Sequence, residues 1–317
     1  MVTLAVLLVL GGGAAAAYVG VVVPNQPANV LRTAFINSVQ TKQISTDGTF
    51  DGGSGSVKGT FSSAVNTAVK SADAKVNVTF SGISFPIEAR LVQQNAYFKI
   101  GDLSTVSSLI GAFSPDAAKA ADSLSKQVSN KWISVDSTII NQDPTAKCLM
   151  GLNWTLNQAD IKQMQNQYDK HPFTTIKSTA NDTVQDKAAK KFVLNISEDS
   201  FNKFGDSLQS LSIVKAAQKC PGLSNASTTA MRLTASKTTN KSTLLTVWVD
   251  KQTKHVVQIA NSSKDGSTVV KLSYGNVSIA APPNAVPILN FLGSLQSTLQ
   301  SSGLNYSQLL GSGATVN

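Results

Sequence analysis

The spacing of apolar positions changes several times along the chain. From Asn29 to Gln43 the residues Val30, Leu31, Phe35, Ile36 and Val39 recur every three or four positions, which predicts a helix. From Ile44 the period is two. Thr46, Gly48 and Phe50 share one strand face, the Gly52-Gly53-Ser54-Gly55 cluster turns the chain, and Val57, Gly59 and Phe61 alternate on the return. Val76, Val78 and Phe80 alternate next. Phe85, Ile87, Ala89 and Leu91 follow, then a turn near Gln94-Asn95, then Ala96, Phe98 and Ile100. Strands with one apolar face predict an antiparallel meander that needs cover on that face.

The cover is also in the pattern. Leu103 to Val128 reads as two helices broken near Ser114-Pro115, with Pro115 in a first turn where its missing N–H costs nothing. Lys131 to Ile140 reads as a strand, and Gln158 to Lys170 as a helix capped by Asn157. Ala188 to Ile196 is a strand, with Phe192, Leu194 and Ile196 on one face. Ser200 to Lys219 is an amphipathic helix carrying Phe201, Phe204, Leu208, Leu211 and Val214. Three strands close the series, at Leu245–Val249, Val257–Ile259 and Val270–Tyr274. After Pro282-Pro283 comes a last apolar helix, Val286 to Leu299, and a Ser/Gly-rich tail. Antiparallel strands interrupted by helices define an α+β chain.

The first residues have a different character. Val2 to Val23 holds no charge over 22 residues, and about 20 suffice to cross a bilayer as a helix. An uncleaved single-pass anchor is the favoured expectation, because the apolar run continues past Ala15-Ala16-Ala17, where a secretory signal would be cut. A cleaved signal and a buried core helix are the alternatives. No cysteine lies near this segment, so a lipid-modified cysteine anchor is not expected. Three regions follow: an anchor or signal at 1–24, an extracytoplasmic domain at 25–284, and a C-terminal helix and tail at 285–317. The expected location is the cell membrane with the main domain outside the cytoplasm, or secretion if the segment is cleaved.

Composition then excludes several classes. With 42% hydrophobic and 14% charged residues the chain is not a disordered polyelectrolyte. Two cysteines do not make a disulfide-dense miniprotein. In an oxidising compartment, pairing of Cys148 with Cys220 is the natural reading, and two buried thiols are the alternative. Neither His171 nor His255 has zinc-ligand spacing to them, so no metal and no cofactor are expected.

No catalytic constellation emerges, and an enzyme is not expected. Ser123-Leu124-Ser125-Lys126 matches Ser-x-x-Lys without companion motifs. Carboxylates are scattered, and the glycines at Gly52, Gly53 and Gly55 lead into a strand rather than a phosphate-cradling helix. The net charge of +9 is dispersed, and the compartment argues against a nucleic-acid partner. Its densest cluster, Lys187, Lys190 and Lys191, reads as a solvated strand entry or as a contact for anionic lipid or wall polymer.

Certain phrases carry a resemblance. They are Asn95-Ala96-Tyr97-Phe98-Lys99-Ile100-Gly101-Asp102-Leu103, Lys131-Trp132-Ile133-Ser134-Val135, and Leu245-Thr246-Val247-Trp248-Val249-Asp250-Lys251-Gln252-Thr253 followed by strands and a proline pair. In element order, Asn29 to Pro283 resembles the LolA/LolB-like lipoprotein carriers and the LppX/LprG-type envelope lipoproteins. The resemblance implies a curved antiparallel half-barrel with helices on its concave side and room for acyl chains between. It makes a lipid or amphiphile the expected ligand, bound for passage between membrane and envelope. The residues expected to line that space are Phe85, Ile87, Phe98, Ile100, Leu109, Phe113, Phe201, Phe204, Leu208, Val247 and Val249. The alternatives are a filled core of the same residues and a sensory ectodomain that binds an envelope protein partner.

Overall fold

The structure is a computed structural model that describes residues 26–52, 57–104, 122–123, 125–152, 156–222, 243–263 and 266–301. Helix α1 (Pro27–Gln40) opens with proline in its first turn, where no intrahelical N–H is needed. Strands β1 (Gln43–Asp51), β2 (Val57–Asn66), β3 (Ser71–Phe80), β4 (Ile83–Val92) and β5 (Asn95–Ile100) form the expected meander. Then come β6 (Ile133–Val135) and the helices α2 (Ser137–Ile140), α3 (Pro144–Gly151) and α4 (Gln158–Lys170). Strands β7 (Thr174–Val184) and β8 (Lys187–Ile196) precede α5 (Glu198–Ser207), a 3₁₀ turn at Leu208–Ser210, and α6 (Ser212–Gln218). Strands β9 (Thr243–Asp250), β10 (Val256–Ser263), β11 (Gly266–Tyr274) and β12 (Val286–Pro287) follow, and α7 (Ile288–Ser301) ends the described chain.

Among the described residues all strands join one 12-stranded sheet in the order β12-β6-β5-β4-β3-β2-β1-β11-β10-β9-β8-β7. Next to its centre, the antiparallel pair β1–β11 brings the N-terminal meander against the C-terminal one. The sheet is curved and does not close, so α+β is the observed class and a large open antiparallel sheet its core.

Several expectations change. The strand expected over Lys131 to Ile140 stops at Val135, because Asp136 accepts hydrogen bonds from the amides of Thr138 and Ile139 and so caps a short helix. The single helix expected over Ser200 to Lys219 is broken at Leu211, whose backbone is extended. There Asp160 takes the Ser212 amide at 2.8 Å and its hydroxyl at 2.5 Å, so a carboxylate from α4 caps α6. The last helix begins at Ile288, since Val286 and Pro287 pair with β6 first. Two elements escaped the sequence reading. Helix α3 carries the start signal Asp143-Pro144, with Asp143 accepting from the Ala146 amide. Strand β7 is a polar sheet edge, joined to β8 through Gln185 and Asp186, both with positive φ.

The expected helices over 103–128 fall largely outside the described residues, as does the segment Val2 to Val23. Among the described residues no helix is long and apolar enough to cross a membrane. Cys148 and Cys220 form a disulfide with Cα atoms 5.5 Å apart, tying α3 to the end of α6.

The main core lies between α1, α4, α5 and the β8–β11 part of the sheet. Leu31, Ala34 and Phe35 of α1 pack with Tyr168, Phe173, Phe192, Leu194, Val247, Val249, Ile259, Val270 and Leu272. Polar contacts then fix α1. Ser38 Oγ donates to the Ala34 carbonyl, accepts from the Val256 amide at 3.0 Å and lies 2.9 Å from the Tyr274 hydroxyl, which donates to the Val256 carbonyl. Burial of its ring pushes the Tyr274 phenol well above its ordinary value, so it remains a donor.

Candidate functional site

Residues paired directly across antiparallel strands point to the same face. The pairings therefore trace one row across nine strands: Phe192, Val247, Ile259, Val270, Gly48, Phe61, Val76, Ile87 and Ile100. The next row runs Leu272, Thr46, Ser63, Ala74, Ala89, Phe98 and Ile133. Phe85 belongs to a third row with Val78 and Gly59. These rows continue the face that the helices cover at β8–β11.

Cover is unequal along the first row. Phe192 and Val247 are fully buried, whereas Val76 is 38% exposed and Ile87 50% exposed. Phe80, on the same face, is 53% exposed. The floor between is small, since Ala74 and Ala89 are exposed and Thr46 and Ser63 bond to each other at 2.7 Å. Two aromatic rings press on cross-strand glycines, Phe61 on Gly48 and Phe50 on Gly59, so a Cβ at either glycine would collide with its ring. One continuous apolar face is thus packed core at one end and an accessible apolar shelf over β2–β5 at the other.

The residues expected to line a cavity divide along this face. Val247, Val249 and Phe204 are buried in the core cluster, with Phe201 and Leu208 packed partly buried against it. Phe85, Phe98 and Ile100 are half-buried and Ile87 is exposed, all on the shelf. Leu109 and Phe113 lie outside the described residues. The sequence reading missed Phe61 and Val76 as members of this row. Their strand alternation was visible, but only the strand register places them beside Ile87.

On the opposite face the alternate positions of β1–β4 are mostly polar, while Val184, Ala189, Trp248 and Val257 form a second, smaller apolar cluster. An open groove of about 660 Å³ over β11 and β1–β4 is lined by Gly48, Phe61, Val76 and Ile87 of the first row and by alternate positions among them Asp47, Ser62, Lys75, Glu88 and Lys271. Burial tends to raise the Glu88 carboxyl, but the bond from Lys99 at 2.6 Å and the charge of Lys75 at 3.4 Å outweigh it and hold it below its ordinary value. The phrase Val247-Trp248-Val249-Asp250 is explained by the alternation. Its valines enter the core, Trp248 turns to the opposite face and donates to Asp182 at 2.8 Å, and Asp250 accepts the Gln252 and Thr253 amides that close the next turn.

The candidate chemical groups are placed as follows. His171 caps the end of α4. His255 stacks on Tyr274 at 4.5 Å and lies 3.4 Å from Thr41 Oγ1. Lys126 of the Ser-x-x-Lys match pairs with Asp122 at 2.7 Å. Among the described residues no group of three His, Cys, Asp or Glu could hold a metal ion.

No family model and no curated protein matches this chain. Among solved structures it is similar to LprF from Mycobacterium bovis, at 11% identity over 81% of this chain and 95% of that one, with a TM-score of 0.40. It is also similar to the lipoprotein LppX from Mycobacterium tuberculosis, at 11% identity over 79% of this chain and 96% of that one, with a TM-score of 0.35. The resemblance to LppX/LprG-type lipoproteins drawn from the strand phrases is met by these two.

Proposed function

We propose that this chain is an extracytoplasmic lipid- or amphiphile-binding protein, tethered by its apolar N-terminal segment, that holds an acyl chain along the shelf over β2–β5. The observation carrying this reading is the apolar row that runs out of the core into solvent at Val76 and Ile87. Contiguous exposed apolar surface on a soluble domain marks a binding site. Strands are spaced about 4.8 Å apart, so β2 to β5 offers a path of about 14 Å across them. Ten methylenes contribute about 8 kcal/mol when wholly buried, and about half of that with only one side of the chain against the shelf. The small floor at Ala74 and Ala89 leaves room for a chain between the taller rows. Loading at the membrane and release to an envelope acceptor complete the proposed cycle.

Native mass spectrometry of Pro24–Asn317 expressed in an oxidising compartment, followed by organic extraction, tests this reading. A near-stoichiometric co-purifying lipid supports it. A protein at bare mass that takes up no fluorescent fatty acid overturns it in favour of a protein-binding ectodomain.

A further inference from the structure

The lysine cluster singled out in the sequence does not act as one patch. In β8 the alternation sends Lys191 to the opposite face, 5.5 Å from the Trp248 ring, while Lys190 shares the covered face with Phe192, whose ring it approaches at 5.8 Å. Lys190 is half-buried where that face ends. There it lines a hollow of about 270 Å³ together with Val30 of α1, Asn181, Asp250 and the turn residues Lys251 and Lys254. Among the described residues none of these three lysines makes an ion pair. Asp250 is committed to the turn amides at 2.7 and 2.9 Å. The hollow is therefore cationic and open, with an apolar wall at Val30 and Val249.

Its position along the chain indicates what it meets. Val30 lies in the first turn of α1, seven residues after Val23, where the apolar stretch ends. Four extended residues reach at most about 14 Å and one helical turn adds about 5 Å. The hollow is thus held within about 20 Å of the end of that stretch. Headgroups occupy the first several ångströms beyond the hydrocarbon, and a cation is felt for about 8 Å more at physiological salt.

We propose that Lys190, Lys251 and Lys254 form a site for the phosphodiester of an anionic phospholipid headgroup in the membrane that carries the chain, and so set which end of the domain faces the bilayer. The site rests on the tethering part of the proposed function and is independent of the acyl shelf.

The test uses the full chain in neutral maltoside micelles, titrated calorimetrically with dihexanoyl-phosphatidylglycerol, dihexanoyl-phosphatidylcholine and inorganic phosphate. The expected result is saturable binding of the phosphatidylglycerol in preference to the other two. It should weaken about 25-fold in Lys251→Gln/Lys254→Gln, about fivefold per lysine, and recover in Lys251→Arg/Lys254→Arg. Both lysines are exposed in a turn, and an unchanged circular dichroism melt shows that the fold is kept. Phosphate binding as tightly as the lipid makes the site one for free anions and overturns the headgroup assignment. Both lipids binding equally, with no effect of the lysine changes, locates them on the apolar shelf and overturns this site while leaving the shelf intact.

Discussion

Ile87 and Val247 stand in the same cross-strand row, yet truncating them should have opposite consequences. Val247 is fully buried, so Val247→Ala removes two methyl groups from a packed core. The transfer loss is about 1.6 kcal/mol, and the cavity left behind brings the total to about 2–3 kcal/mol. Ile87 is 50% exposed. Ile87→Ala removes three carbon groups, worth about 2.4 kcal/mol if wholly buried, but half of that surface already meets water and no cavity forms. The expected loss of stability is about 1 kcal/mol. Ligand affinity should move the other way. The shelf loses contact surface equivalent to about 1 kcal/mol, so a fluorescent fatty acid should bind Ile87→Ala about fivefold more weakly and Val247→Ala nearly unchanged while it is folded. Urea midpoints and fatty-acid titrations on the same preparations read both quantities. Wild-type affinity in Ile87→Ala, together with lost affinity in folded Val247→Ala, would refute the division of the row into core and shelf.

Three further outcomes follow from the same structure. Removing the disulfide in Cys148→Ser/Cys220→Ser frees a connection of 72 residues and should cost about 2–4 kcal/mol, read as a lower thermal midpoint that reductant no longer changes. Asp160→Ala strips α6 of its buried cap at Ser212 and should cost about 2–3 kcal/mol, with Asp160→Asn milder; equal melting of wild type and Asp160→Ala would contradict this role. Burial holds the His255 imidazole below its ordinary 6.5, with the Thr253 backbone and the Asp250 charge only partly offsetting it. The unfolded chain therefore takes its proton first as pH falls. Stability from the neutral ring is complete above about pH 6.5 and is lost below it, so the thermal midpoint should fall between pH 7.5 and 5.5, and His255→Gln should flatten that fall.

Much of this architecture is written in local periodicity, and the exceptions have physical causes. The hairpins from Ile44 to Ile100 were legible because apolar positions alternate along the strands, with Gly52 and Gly82 punctuating the chain between two of the pairs. Strand β7 was not legible, because an edge strand exposed on most positions shows no alternation, and its turn at Gln185-Asp186 lacks the usual glycine. The break at Leu211 was hidden by apolar spacing that runs through it; the group that caps α6 comes from another helix. Asp143-Pro144 did signal α3 and was overlooked. For the candidate site, alternation placed Phe85, Ile87, Phe98 and Ile100 on their strand faces. Only the register set them in line with Val247, and only the unequal helix cover separated shelf from core. The lysine hollow needed the fold as well, since Lys190 and Lys254 meet through the ends of β8 and β9 and not through the sequence.

The most direct measurement of the central claim is the position of a bound chain. A fatty acid carrying a diazirine is photo-crosslinked to the full chain, and the adducts are mapped by peptide mass spectrometry. The account predicts adducts on the β3 and β4 peptides that carry Val76, Phe85 and Ile87, displaced by excess unlabelled fatty acid. Adducts confined to the β8–β10 peptides, or labelling that unlabelled fatty acid does not displace, would contradict it.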